Sequence, residues 1–176
     1  MEFRSVFRIC RLACLAAAAA ALPSHAAEAP FRAGVTPPYG EIELQLYALS
    51  ASGNFSGHIE RSSLVWNGRV VDFWIWITIL PELSTVELGA WRQMRVDCDA
   101  CARMVGSEFP LDKTGNMMGE DTAARRPMEQ VNPDTMDEFL VRILCDGHTF
   151  ALDPAVTTDV MSAAAQGQAA LKITPP

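Results

Sequence analysis

Five cysteines occur among the 176 residues, and three of them, Cys98, Cys101 and Cys145, lie well beyond the N-terminal segment. Cys98-Asp-Ala-Cys101 and Cys145-Asp-Gly-His148 are two pairs with two-residue gaps. Three thiolates and an imidazole so spaced form a Cys₃His zinc set if each pair sits on a tight knuckle. A Cys-x-x-Cys that cycles between thiol and disulfide is the second reading. The third is a structural disulfide with one thiol left over. Cys98 ends a strand-like pattern, and side chains three apart on a strand point to opposite faces. No glycine between positions 99 and 103 helps the chain bend, and Cys101 leads into another strand-like stretch rather than a helix. These features favour a Cys98–Cys145 bridge, with zinc or thiol-redox use of Cys98, Cys101, Cys145 and His148, or a Cys98–Cys101 bridge, as the alternatives. The bridge would close a loop of roughly 46 residues and stabilise the fold by about 3–4 kcal/mol. Cys101 is then the odd thiol, which could also pair two chains into a dimer.

Other chemistry is sparse. Beyond the N-terminal segment the histidines are His58 and His148, and no Gly-x-Ser-x-Gly elbow accompanies them. Isolated histidines near turns are expected to be solvated or capping. Glu41/Glu43 and Asp97/Asp99 pair carboxylates on one strand face each, as wet faces do. Asp112-Lys113-Thr114-Gly115 repeats the tetrapeptide of P-type ATPase phosphorylation loops, but in a chain this short, with no membrane bundle, it is read as coincidence. No phosphate-cradling Gly-x-x-x-x-Gly-Lys loop is present. Trp74 and Trp76 are read as sheet packing rather than an aromatic ligand platform. The expectation is a non-enzyme without catalytic residues or a cofactor.

Net charge is −7, with 49% hydrophobic and 20% charged residues. That composition supports one domain with a core and argues against nucleic acid as a partner. Residues 1–26 read as a signal peptide: Arg4, Arg8 and Arg11 precede an apolar run over 12–22, and Ser24-His25-Ala26 supplies a cleavage site. Cleavage near Ala26 would leave roughly 150 residues with a net charge of about −9 and no transmembrane span. The expected destination is the periplasm or outer surface of a bacterium, where disulfides persist.

The elements follow from periodicity and turn chemistry. Residues 27–40 read as an extended lead-in rich in proline and glycine. Residues 41–48 alternate as a half-buried strand with Ile42, Leu44, Leu46 and Ala48 inward, and 50–57 read as a loop. A short strand over 59–65 meets a longer one over 69–80 through Asn67-Gly68, a strong hairpin signal. The second of these is apolar on both faces, as in a strand covered on two sides. Strands follow over 86–98 and 103–109, the latter closed by Pro110, and 112–130 reads as a long loop. A helix is expected with Asn132 as N-cap and Pro133 in its first turn. Met136, Phe139, Leu140, Ile143 and Leu144 form its apolar stripe, and Gly147 stops it. The helix must end near Leu144 for Cys145 to reach its partner. Residues 149–176 read as an extension, with a possible strand over 149–152 and a mobile Ala/Gln tail. The class is α+β: a small antiparallel sheet with one amphipathic helix packed on it, disulfide-linked, over a domain spanning 41–148.

The residues Trp66-Asn67-Gly68 to Trp76, Met94-Arg95-Val96-Asp97-Cys98, Gly115 to Gly119, and Asn132-Pro133 to Cys145 resemble the surface-adhesin protein E-like domain family. The resemblance covers roughly positions 55–147, and its most specific part is the Asp-Cys strand with the Pro-led helix ending in Cys. It implies a small antiparallel sheet crossed by a helix and a bridge between Cys98 and Cys145. Cys101 departs from it, since the family usually has a polar residue there. The family takes its name from bacterial surface proteins that bind host matrix components such as vitronectin and laminin. The resemblance therefore implies an adhesin-like or protein-interaction module, with host matrix or envelope proteins as partners. The expected contact surface is the 112–130 loop with Met117, Met118, Arg125 and Arg126, because methionine and arginine suit adaptable contacts.

Overall fold

The computed structural model describes residues 30–34, 36–38, 41–121, 125–147 and 155–173. The signal segment, His148 and the strand expected at 149–152 lie outside the described residues. Seven strands form one antiparallel sheet: β1 (Leu44–Leu49), β2 (Phe55–Asn67), β3 (Val70–Ile79), β4 (Glu87–Asp97), β5 (Ala102–Asp112), β6 (Glu129–Gln130) and β7 (Val156–Thr157). Helix α1 (Met136–Asp146) falls between β6 and β7, and α2 (Val160–Ile173) follows β7. The strand order is β6-β5-β4-β3-β2-β1-β7, so β1 to β5 are a meander of neighbours joined by short turns. Asn67-Gly68 makes the β2–β3 turn, with Gly68 at φ +61° in the left-handed region that such hairpin turns require. The two-sided apolar character of β3 is realised, but β1 is not the half-buried strand expected over 41–48. Gln45 and Tyr47 are buried along with Leu44, Leu46 and Ala48, because the sheet is covered on both faces. A register shift between Leu46 and Ala48 puts Ala48 in the same core as Tyr47.

Because side chains alternate along each strand, the sheet has two cores. Ile59, Val71, Phe73, Ile75, Met94, Val96 and Val105 face α1, which contributes Leu140, Val141 and Ile143. Leu44, Trp74, Trp76, Trp91, Phe109 and Leu111 face the other way and meet Ala163 and Ala164 of α2. The α+β class and the disulfide are thus as expected, and a second helix covers the second face. That helix replaces the mobile tail expected of the C-terminal extension. Its buried side is Ala163, Ala164, Gly167 and Leu171, with a single large apolar residue, which leaves no strong apolar stripe in the sequence, so the docking surface is legible only once the sheet stands beneath it.

Several boundaries differ from expectation, each for a local reason. Strand β2 starts at Phe55 rather than 59, pairing Phe55 with Ile79 and Ser56 with Thr78. Pro110 does not close β5, which runs on to Asp112; Pro110 pairs with Ala90 of β4 on one side, and on the other side β5 borders only isolated bridges there, an edge at which proline is tolerated. Helix α1 starts three residues later than Asn132 predicts, because Thr135 is the N-cap. The Thr135 Oγ1 accepts from Glu138 N at 3.2 Å, and the Glu138 carboxylate reaches back to Asp134 N at 2.7 Å. Thr-x-x-Glu, the capping-box spacing, outcompetes the Asn-Pro signal. The helix continues past Leu144 to Asp146, where Gly147 at φ +68° caps it in the left-handed conformation.

The lead-in belongs to the folded unit. Asp72 on β3 and Arg95 on β4 make a bidentate ion pair at 2.6 and 2.8 Å, with side chains 3% and 2% exposed. The segment 30–34 lies over that pair. Pro30 O accepts from Arg95 Nη2 at 2.8 Å, Arg32 N donates to Asp72 at 2.6 Å, and the Phe31 ring stacks 4.8 Å from the guanidinium carbon. Trp74 Nε1 donates to Ala33 O at 2.9 Å, and Gln93 Nε2 donates to Gly34 O. A buried ion pair needs its remaining valences satisfied, and the strap supplies them.

Candidate functional site

At the cysteine junction, β4 turns into β5 through residues 98–101, which close the pair Asp97–Ala102. Asp97 is buried and its Oδ1 accepts from Asp99 N and Ala100 N, both at 3.0 Å, while Asp99 is exposed. The Asp97/Asp99 pair is therefore a turn cap and a surface group, not a wet strand face. Glu41 and Glu43, by contrast, are both exposed. Cys98 and Cys145 are bridged, with Cα atoms 5.4 Å apart, although Cys145 sits in the last turn of α1. Cys101 adopts φ +47° and so supplies the bend that no glycine provides. It is buried, with Sγ 4.0 Å from Cys98 O. Because 98–101 is a hairpin turn rather than a strand, the opposite-face argument drawn from the sequence does not apply to this pair. In this bridged form Cys98 and Cys145 are not thiolates, and His148 lies outside the described residues. Among the described residues no group of three or more His, Cys, Asp or Glu could hold a metal.

The 112–130 stretch is less free than its composition implies. The Asp112 carboxylate accepts from Thr114 N, Thr114 Oγ1 and Asn116 N at 2.6–2.9 Å, and the Thr114 hydroxyl contributes most to holding its pKa below the ordinary range. The phosphorylation-like tetrapeptide is thus a capped turn. Beyond it the backbone follows the β5 edge: Leu111 bridges Met117, Glu108 bridges Asp121, Met118 N donates to Pro110 O, and Arg126 N donates to Val105 O. Arg125 is tied to Glu120 at 3.1 Å and to Ser107 Oγ. Met117 and Met118 are 37% and 48% exposed. Met161, at the start of α2, is 46% exposed, and its Sδ stands 3.6 Å from where a Cβ on Gly115 would be. The stretch that carries two of the four expected contact residues is therefore approached, at Gly115, by a third exposed methionine that the sequence reading missed. It was missed because Met161 is 43 positions from Met118 in the chain.

His58 is a correction. It is fully buried on the α2 face, with Nε2 3.0 Å from Gln166 Oε1 of α2, rather than solvated or capping. Two residues along, Glu60 is also buried, and its Oε1 accepts from Glu43 N, Ser62 N and Ser62 Oγ at 2.7–3.2 Å. Trp74 and Trp76 are buried and pack at ring distances of 5.9 and 5.8 Å on Phe109 and Trp91, as sheet packing predicts. An open cleft of about 1000 Å³ separates the start of α1 from the β1–β2 turn, lined by Leu49, Arg92, Met136, Phe139 and Arg142 among others. Arg92 there is held by Glu108 at 2.6 Å. No sequence signal marks this cleft, since its walls come from β1, β4 and α1.

Among the described residues no helix is long and apolar enough to cross a membrane. No family model and no curated protein matches this chain. Among solved structures, that of protein E from non-typeable Haemophilus influenzae is similar over 80% of this chain and 96% of its own, at 13% identity and a TM-score of 0.39.

Proposed function

We propose that this chain is an exported, non-enzymatic envelope protein of the surface-adhesin protein E-like type, acting through a contact surface rather than a reaction centre. The observation that carries the reading is the exposure of Met117, Met118 and Met161 on two chain segments that meet where Met161 approaches Gly115. Large apolar side chains gathered on a surface mark interaction sites, and unbranched thioethers adapt to varied partners. Arg126 follows Met117 and Met118 in the same stretch and offers its exposed guanidinium group to an acidic partner surface, while Arg125 is held by Glu120 and Ser107. The partners in this reading are host matrix or envelope proteins.

The test is binding of the purified chain, lacking residues 1–26, to immobilised vitronectin and laminin, with serum albumin as the control surface. Saturable binding to either matrix protein is expected, reduced at least fivefold when Met117, Met118 and Met161 are all changed to Gln while circular dichroism is unchanged. Absence of saturable binding, or binding indifferent to the triple change, overturns the proposal.

A further inference from the structure

Three cysteines meet where the β4–β5 turn touches the end of α1. Cys98 and Cys145 are bonded, and Cys101 shares the turn with Cys98, with Sγ 4.0 Å from the Cys98 carbonyl oxygen. The first and last residues of a four-residue turn have Cα atoms within about 7 Å, close to the range a disulfide spans. Cys98 and Cys101 stand in that relation, because Asp97 pairs directly with Ala102. Both are buried, at 6% and 9% exposure, so an external thiol reaches the bridge less readily than the internal one does.

We propose that Cys101 is an internal exchange nucleophile for the Cys98–Cys145 bridge. Its thiolate attacks the sulfur of Cys98, the Cys98–Cys145 bond breaks, and the electron pair leaves on the sulfur of Cys145. The proton lost by Cys101 is regained, through solvent, by Cys145. One disulfide and one thiol are present before and after, so no oxidant or reductant takes part. The crosslink moves from between sheet and helix to within the turn, and the C-terminal end of α1 is then held by the packing of Leu140, Val141, Ile143 and Leu144 without a covalent tie. The same burial makes Cys101 a poor partner for a second chain, so exchange within the chain takes precedence over a covalent dimer.

The experiment uses the full exported chain without reductant, incubated folded at pH 6, 7 and 8, acid-quenched, unfolded and alkylated at low pH. Trypsin then places Cys98 and Cys101 in peptide 96–103 and Cys145 in peptide 143–172. The starting isomer yields these two peptides crosslinked. The exchanged isomer yields an internally bridged 96–103 and a 143–172 alkylated on Cys145. Alkylated Cys145 is expected to appear with an initial rate that rises about tenfold per pH unit, following the thiolate fraction. It is expected to be absent from both Cys101→Ser and Cys101→Ala. Failure of Cys145 to label in the wild-type chain, or equal labelling in the Cys101 variants, overturns the proposal.

Discussion

Single buried polar groups carry the sharpest consequences. Tyr47 is 1% exposed on the α1 face, and burial pushes its phenol well above the ordinary value of 10.0, with the charge of Asp137 adding to the effect. A group whose folded pKa is raised stabilises the fold below its unfolded pKa and loses that contribution as pH rises beyond it. The folded chain should therefore lose stability above pH 10 in urea titrations, and Tyr47→Phe should flatten that decline. The Arg95–Asp72 pair behaves differently, because both partners are charged and buried together. Asp72→Ala should cost about 3–5 kcal/mol, since it strands a guanidinium. Replacing both partners, Asp72→Leu with Arg95→Met, should cost less than either single change, as read from urea midpoints.

At the scale of elements, α2 shows how a helix docks without a strong apolar stripe. Ala163, Ala164 and Gly167 let it lie close to β2, and a Cβ at Gly167 would overlap the Ser56 hydroxyl. Gly167→Ala should lift the helix and cost about 1–3 kcal/mol, and adding Ser56→Gly should recover part of the loss in a double-mutant cycle. Elements with a strong local code are legible in the sequence: the Asn67-Gly68 turn, the two-sided β3 and the Met136–Leu144 stripe. The strand over 41–48 is legible too, but not the burial of its second face, which depends on what covers the sheet. The start of α1 was misplaced because two capping signals competed over six residues, and the reciprocal bonds of Thr135 and Glu138 decided between them. Of the expected contact surface, Met117 and Met118 were legible as exposed loop residues. The tethering of Arg125 and Arg126 was not, because it depends on Ser107, Glu120 and Val105 across the sheet edge.

For the whole molecule, the folded unit extends beyond 41–148 at both ends, because each face of the sheet needs a cover. Helix α1 covers one face; α2 and the strap at 30–34 share the other. A chain beginning at residue 41 would lose the backbone partners of Asp72 and Arg95 and the ring of Phe31. Hydrogen bonds to charged groups contribute about 1.5–3 kcal/mol each, so the truncation should lower stability by about 3 kcal/mol or more, read by denaturant unfolding followed through tryptophan fluorescence. The sequence by itself determined the succession of strands, the Asn67-Gly68 hairpin, the amphipathic helix and the residues available for the bridge, because alternation, turn residues and helical stripes are written within a few positions of one another. Only the tertiary structure decided that His58 is buried against Gln166, 108 positions away, and that Asp72 is capped by Arg32, 40 positions away. It alone turned Cys101 to the same junction as Cys98 and brought Met161 beside Gly115. The His58, Asp72 and Met161 contacts join segments remote in the chain, set by which face of a finished sheet each segment covers, while Cys101 is turned by the left-handed backbone it adopts in the β4–β5 turn; no local sequence pattern encodes either.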